Sequence, residues 1–154
     1  MRHPMKTSYP ISLLLHDKKN SALWVVAPGT TVFDAIKLMA EKNIGALLVL
    51  AGGKLAGVFT ERDYSRKIAL QGKSSRDTLV SEVMSTQVVA VTPEESVEGC
   101  MKLMTENRVR HLPVLVGDKV IGIISIGDLV NWTISAQDAT IAQMERYIAG
   151  GVPG

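Results

Sequence analysis

The sequence contains one cysteine and only three histidines, and these low counts already exclude some classes of protein. Cys100 has no second cysteine to pair with, so the chain cannot form an internal disulfide framework, and a reducing, cytoplasmic compartment is expected. The histidines are scattered at His3, His16 and His111, with no spacing typical of metal ligands. We therefore expect no metal site.

Net charge and long apolar runs are also scarce. The 17 Lys and Arg residues exceed the 15 Asp and Glu residues by a net charge of only +2, too little to predict binding to nucleic acid or to an anionic membrane. The apolar stretch from Tyr9 to Leu15 is too short to span a bilayer and lacks the pattern of a signal peptide. These absences predict a cytoplasmic location, and they leave open an organellar relative whose transit peptide has been removed.

The sequence also lacks a recognisable catalytic constellation. It offers no nucleophile with a matched base and no pair of carboxylates at a working spacing, so we expect a protein that is not an enzyme. With 154 residues, 46% of them hydrophobic, the chain can form one compact domain or two half-size units that share a core.

An internal repeat is the strongest positive signal. A shift of 65 residues superimposes Val26–Tyr64 on Val91–Leu129 without a gap. A flanking segment also repeats, Ile11–Leu15 with Val80–Met84, but at an offset of 69, which places four extra residues in a polar loop over 17–21. Such a duplication constrains the fold more strongly than local propensity does. The identical pairs include Pro28 and Pro93, Val32 and Val97, Lys37 and Lys102, Leu47 and Leu112, Gly57 and Gly122, and Asp63 and Asp128.

Each copy predicts the same β-α-β-β-α order of elements. A short apolar strand, Trp24–Val26 or Val88–Val91, precedes a helix whose apolar residues recur at i, i+3, i+4 and i+7, beginning at Val32 or Val97. Thr31 is a suitable N-cap for the first of these helices.

Tight turns and a second helix complete each copy. Gly52-Gly53 and Gly117-Asp118 each separate two apolar runs and predict β-hairpins. The pattern then becomes helical over Glu61–Leu70 and Ile126–Ile148. We predict repeat 1 over 11–70, a linker over 71–79 and repeat 2 over 80–148, packed into one α+β module, because a unit of some 60 residues buries little surface alone.

The pattern Gly-x-x-Thr/Ser-x-x-Asp follows the second hairpin strand in both copies, at residues 57–63 and 122–128. At a strand-to-helix junction, a hydroxyl and free backbone N–H groups can hold a phosphate, and a carboxylate can accept from ribose hydroxyls. The alternative is simple helix capping. The residues concerned are Thr60 and Asp63 in the first copy and Ser125 and Asp128 in the second.

These paired segments, with the stretch Arg108–Val114, resemble a tandem cystathionine-β-synthase-type (CBS) domain pair, or Bateman module, and most of all the stand-alone proteins of that type. The resemblance covers Ile11 to Ile148. It implies two repeats related by a pseudo-two-fold axis, with nucleotides in the clefts between them. It also implies that Thr60 with Asp63, and Ser125 with Asp128, contact phosphate and ribose.

Basic residues distinguish the two copies. Arg110 and His111 in the second copy correspond to Gly45 and Ala46 in the first, and Arg62 in the first corresponds to Gly127 in the second. Arg62, Arg110 and His111 are therefore candidate phosphate ligands, and we expect the two clefts to differ in affinity. For Arg108 we favour the alternative that it follows a helix C-terminus.

The leading hypothesis is a regulatory module that binds AMP, or a related adenosine compound such as ATP, ADP or NAD, and signals by a change of shape. The resemblance implies a homodimer, and the signal would act on a regulated protein that the sequence does not identify. The alternative is a dimeric adaptor whose clefts have lost affinity for ligand.

Overall fold

The computed structural model describes residues 9–17 and 23–135. The predicted polar loop over 17–21 is wrong at Asp17, which is the last residue of a helix, and its remaining residues, 18–21, lie outside the described residues. The end of the last predicted helix, 136–148, also lies outside them. The helices are α1 (Ile11–Asp17), α2 (Val32–Lys42), α3 (Glu61–Tyr64), which continues as a π-helical turn (Ser65–Ala69), α4 (Val80–Val83), α5 (Val97–Asn107) and α6 (126–135). The strands are β1 (Val25–Val26), β2 (Ala46–Ala51), β3 (Lys54–Thr60), β4 (His111–Val116) and β5 (Lys119–Ser125).

The first repeat contains a three-stranded sheet in the order β1-β2-β3. β1 runs parallel to β2, with Val25 opposite Leu48, and β2 pairs antiparallel with β3. Gly52 (φ 58°) and Gly53 (φ 82°) form the turn between β2 and β3, in backbone conformations that other residues rarely adopt. The predicted glycine hairpin is confirmed.

The second repeat forms the matching β4–β5 hairpin, but the predicted strand Val88–Val91 is wrong in its extent. Only Val91 pairs, through a single parallel bridge to Val114. In the first repeat the Leu48 amide donates to the Trp24 carbonyl (3.3 Å), and the residue equivalent to Leu48 is Pro113, which has no N–H. The ladder therefore cannot extend back towards Val89.

The two long helices have the same kinds of cap: a side chain caps the N-terminus, and a left-handed residue ends the C-terminus. The Thr31 hydroxyl accepts from the Asp34 amide (3.1 Å), which confirms the predicted cap, and the Ser96 hydroxyl accepts from the Gly99 amide (2.8 Å) in the second repeat. Both helices end in a left-handed residue, Asn43 for α2 and Arg108 for α5.

The short helix that leads each repeat, α1 or α4, packs against the core of the other repeat. Ile11 and Leu14 of α1 pack into the core of the second repeat, whereas Val80 and Val83 of α4 pack into the core of the first. Two antiparallel bridges support the exchange at equivalent places, Thr31 with Leu79 and Pro10 with Ser96. The two repeats thus form one α+β module with pseudo-two-fold symmetry, as predicted.

A third apolar cluster joins the two sheets directly. It contains Ala46, Leu48 and Val58 from the first repeat and Val120 from the second, all buried. The two halves therefore share this cluster, but each also has a core of its own, rather than the single core that the sequence predicted.

Cys100 lies on α5 in the core of the second repeat, with 0% of its surface exposed. Burial, with a smaller contribution from the charge of Glu95, raises the pKa of its thiol from 9.0 to about 11. An unfolded chain ionises this thiol first, so we expect the free energy of unfolding to fall as pH rises through that window. Urea denaturation at several alkaline pH values measures the slope. Cys100→Ala, which copies Ala35 of the first repeat, should remove the part of the slope due to the thiol, and an unchanged slope would contradict the assignment.

Candidate functional site

A cleft of about 640 Å³ opens between the repeats at the C-terminal end of β3. We call it the first cleft. The first repeat contributes Thr60 and the residues of α3, the segment that follows α4 contributes Ser85, and the second repeat contributes residues 108–111. Its volume is within the range of small-molecule sites, and its walls come from three separate parts of the chain.

Thr60 and Asp63 form a reciprocal cap at the start of α3. The Asp63 amide donates to the Thr60 hydroxyl (3.1 Å), and Asp63 Oδ2 accepts from the Thr60 amide (3.0 Å) and hydroxyl (3.1 Å). Capping is therefore confirmed here. Asp63 is nevertheless a wall residue of the first cleft, although only 5% of its surface is exposed.

The other carboxylate oxygen of Asp63 binds two residues that the sequence analysis missed. Oδ1 accepts from the Ser85 hydroxyl (3.0 Å) and pairs with Lys67 Nζ (3.1 Å), which also donates to the Val83 carbonyl (2.9 Å). The i, i+4 spacing of Asp63 and Lys67 was a usable signal for the ion pair. Ser85 had no such signal, because it reaches the site only through the exchange of α4.

The glycine of the repeated pattern has a physical reason of its own in the first copy. A Cβ on Gly57 would lie 2.8 Å from both the Ser85 carbonyl oxygen and Met84 Sδ. Gly57 therefore allows the segment after α4 to pair with β3, which it does through two hydrogen bonds between the backbones of Val58 and Ser85 (3.0 and 2.9 Å).

The first cleft brings together basic residues that are far apart in the sequence. Arg62 of the first repeat and Arg110 and His111 of the second all line it, together with Arg108. The Arg62 guanidinium donates to the Arg108 carbonyl across the repeats (3.2 Å). Sequence reasoning assigned Arg62 and Arg110 to different copies, and the fold places them in one cleft.

A second cleft of about 470 Å³ contains the equivalent pair, Ser125 and Asp128. Asp128 repeats the reciprocal cap, with its amide donating to the Ser125 hydroxyl (3.0 Å) and its Oδ2 accepting from the Ser125 amide (2.8 Å). Gly45 and His111 line both clefts and so lie on the wall between them.

The two clefts differ sharply in charge. The described lining of the first includes five cationic side chains and two carboxylates, whereas that of the second includes no Lys or Arg. An anionic ligand is therefore attracted to the first cleft far more than to the second. The cations of the first cleft are Arg62, Arg66, Lys67, Arg108 and Arg110.

The sequence model of the CBS-domain family matches this chain twice, at residues 19–70 and 80–135. The chain belongs to the CBS-domain family. The resemblance inferred from the repeated pattern is therefore confirmed, and the two matches correspond to the two repeats of the fold. Paired CBS domains are generally regulatory, ligand-sensing modules, and stand-alone proteins of this kind are generally regulatory rather than catalytic.

Known CBS-domain proteins resemble the chain over most of its length. It is 42% identical over 153 residues to the CBS domain-containing protein CBSX3, mitochondrial, of Arabidopsis thaliana, a match that covers 94% of this chain and 74% of the relative. Among solved structures, a protein with CBS domains from Burkholderia ambifaria is 52% identical, with a TM-score of 0.80 over 82% of this chain and 95% of the other. The hexameric CBS-CP12 protein from bloom-forming cyanobacteria is 30% identical, with a TM-score of 0.72 over 81% of this chain and 68% of the other.

Two features are absent from the described residues of this CBS pair. Within residues 9–17 and 23–135, no helix is long and apolar enough to cross a membrane. Over the same residues, no group of three or more His, Cys, Asp or Glu side chains is arranged to hold a metal ion.

Proposed function

We propose that this CBS pair is a regulatory module that binds an adenine nucleotide, AMP or a related compound such as ADP, ATP or NAD, in its first cleft. The observation that carries the proposal is the convergence of five cationic side chains on a cleft that also contains the buried Asp63. A nucleotide has a phosphate for the cations and ribose hydroxyls for the carboxylate, so it matches both features.

Individual roles follow from the chemistry of the lining. Arg110 and Arg62 offer planar guanidinium donors to phosphate oxygens, and His111 adds a donor at the wall between the clefts. A ribose hydroxyl would donate to Asp63 Oδ1 in place of Ser85, because the Oδ2 atom is already occupied by Thr60. Ser125 and Asp128 would do the same in the second cleft, with lower affinity for phosphate.

Signalling requires a change in how the module meets other proteins. We propose a homodimer and an unidentified regulated protein as the receivers of the signal. Ile126, Val130 and Ile134 support a protein contact, because they follow one another at i, i+4 and i+8 on α6 and all are exposed. We propose a cytoplasmic location. The alternative is a mitochondrial location, because the Arabidopsis relative is named as a mitochondrial protein.

Thermal unfolding with a panel of AMP, ADP, ATP and NAD tests the proposal. At about 100 times its dissociation constant, a ligand that binds only the folded state adds about 2.7 kcal/mol of stability. Asp63→Asn keeps the size of the side chain and removes its charge, and we expect it to weaken binding about tenfold through the lost charged hydrogen bond.

Asp34→Asn is the matched control. Asp34 also follows its N-cap threonine by three residues, but it is exposed and lines neither described cleft. It should leave the ligand-induced shift in Tm unchanged. If no compound of the panel raises Tm in the wild-type protein, the dimeric adaptor without ligand becomes the better account.

A further inference from the structure

The first cleft continues into a groove at its outer rim. This rim groove has a volume of about 340 Å³ and shares five of its seven lining residues with the first cleft. The rim groove has four arginines and, among the described residues that line it, no carboxylate. Its lining consists of Arg62, Arg66, Met104, Thr105, Arg108, Val109 and Arg110.

The repeat shows that none of these four charges is required by the fold. At the same 65-residue offset, every arginine of the rim groove has an uncharged counterpart in the other copy. The module therefore forms the same elements with and without charge at these positions, and the arginines of both repeats line the first cleft and not the second. The pairs are Arg62 and Gly127, Arg66 and Asn131, Arg108 and Asn43, and Arg110 and Gly45.

Arg108 occupies a backbone conformation that disfavours it. Its φ of 55° and ψ of 42° match the 56° and 49° of Asn43, its counterpart in the first repeat. Asparagine adopts this left-handed conformation more readily than arginine does. A strained residue placed where the sister copy has a relaxed one points to a use for its side chain.

The groove is also preorganised for an anion. The Arg62 guanidinium is held by its hydrogen bond to the Arg108 carbonyl, so its position does not depend on a ligand. Four like charges around one groove repel one another, and bound phosphate oxygens relieve that repulsion. Since the described lining supplies no carboxylate, the arginines can contact phosphate directly, without a bridging metal ion.

We propose that the rim groove binds the second and third phosphates of a nucleoside polyphosphate whose sugar and first phosphate occupy the first cleft. This inference rests on the proposed function and narrows it: the preferred ligand is a nucleoside di- or triphosphate rather than a monophosphate. Arg66 and Arg108, which the sequence analysis did not select as ligands, contact the outer phosphates.

Isothermal titration of the full chain with AMP and with ATP, in EDTA at constant ionic strength, tests the proposal. We expect ATP to bind at least about tenfold more tightly than AMP, as one charged hydrogen bond provides. Arg108→Asn should lower the affinity for ATP about tenfold more than it lowers the affinity for AMP, so the preference of the wild-type protein for ATP should disappear. This variant will fold, because Asn43 already occupies the same conformation in the other repeat.

Lys102→Gln is the control for net charge. Lys102 lies exposed on the same helix, α5, and lines neither the first cleft nor the rim groove. It should not alter the ratio of the two affinities. Equal binding of AMP and ATP by the wild-type protein would overturn the rim proposal and leave the proposed function intact.

If the wild-type protein binds no nucleotide, the proposed function is overturned. Inorganic triphosphate then tests the rim groove by itself. A rise in Tm with triphosphate that is absent in Arg108→Asn would still support an anion site in the rim groove. No rise in the wild-type protein would overturn the rim site as well.

Discussion

Replacing Phe59 by alanine is expected to lower the free energy of unfolding by about 3–5 kcal/mol. Phe59 is 0% exposed and lies in the core of the first repeat, beside Leu47 and Val49 of the paired strand. Removing its ring leaves a cavity that the surrounding β-sheet cannot fill without breaking its own hydrogen bonds. Because natural domains are stable by only about 5–15 kcal/mol, this loss is a large share of the total.

Urea denaturation followed by circular dichroism measures the effect, and Phe33→Ala is the control. The chain has two phenylalanines, and Phe33 is only partly buried, with the Arg76 guanidinium 3.8 Å from its ring centroid. Its removal should cost roughly 1 kcal/mol. Equal losses for the two variants would contradict the assignment of Phe59 to a closely packed core.

Gly57→Ala is expected to destabilise the protein by about 2–3 kcal/mol, towards the upper end for overpacking. The added methyl group would meet the backbone of Ser85, which cannot retreat without losing its two hydrogen bonds to Val58. The same movement would displace the Ser85 hydroxyl from Asp63, so ligand binding should also weaken. Thermal unfolding with and without AMP measures both effects.

Gly122→Ala is the matched variant in the second repeat. Its methyl group would approach Leu15 Cδ2 at 2.8 Å, and that atom is the end of a flexible side chain. We expect a cost below about 1 kcal/mol, because leucine can change rotamer. If the two glycine variants were equally destabilised, the backbone contact at Ser85 would not be the cause.

Sequence reasoning predicted the elements of each repeat well where a local signal existed. The Thr31 cap and the glycine hairpins each depend on residues within a few positions of one another, and all were confirmed. The error at Val88–Val91 was also avoidable in principle, since Pro113 removes the donor that a longer ladder needs.

The composition of the first cleft could not be read from the sequence in the same way. Arg62 and Arg110 lie in different copies, and Ser85 reaches Asp63 only because α4 crosses to the other repeat. No local pattern encodes that crossing. It follows from the packing of Val80 and Val83 in the core of the first repeat, which is a tertiary contact between residues far apart in the sequence.

The exchange of α1 and α4 bears on how such a chain can arise. A lone repeat with its own leading helix is an incomplete folding unit, because that helix seals a neighbour's core and leaves its own uncovered. Two identical copies would complete each other as a symmetric, helix-swapped pair. Gene duplication followed by fusion would convert that pair into this single polypeptide, and each half would then be free to gain arginines beside one cleft without placing them beside the other.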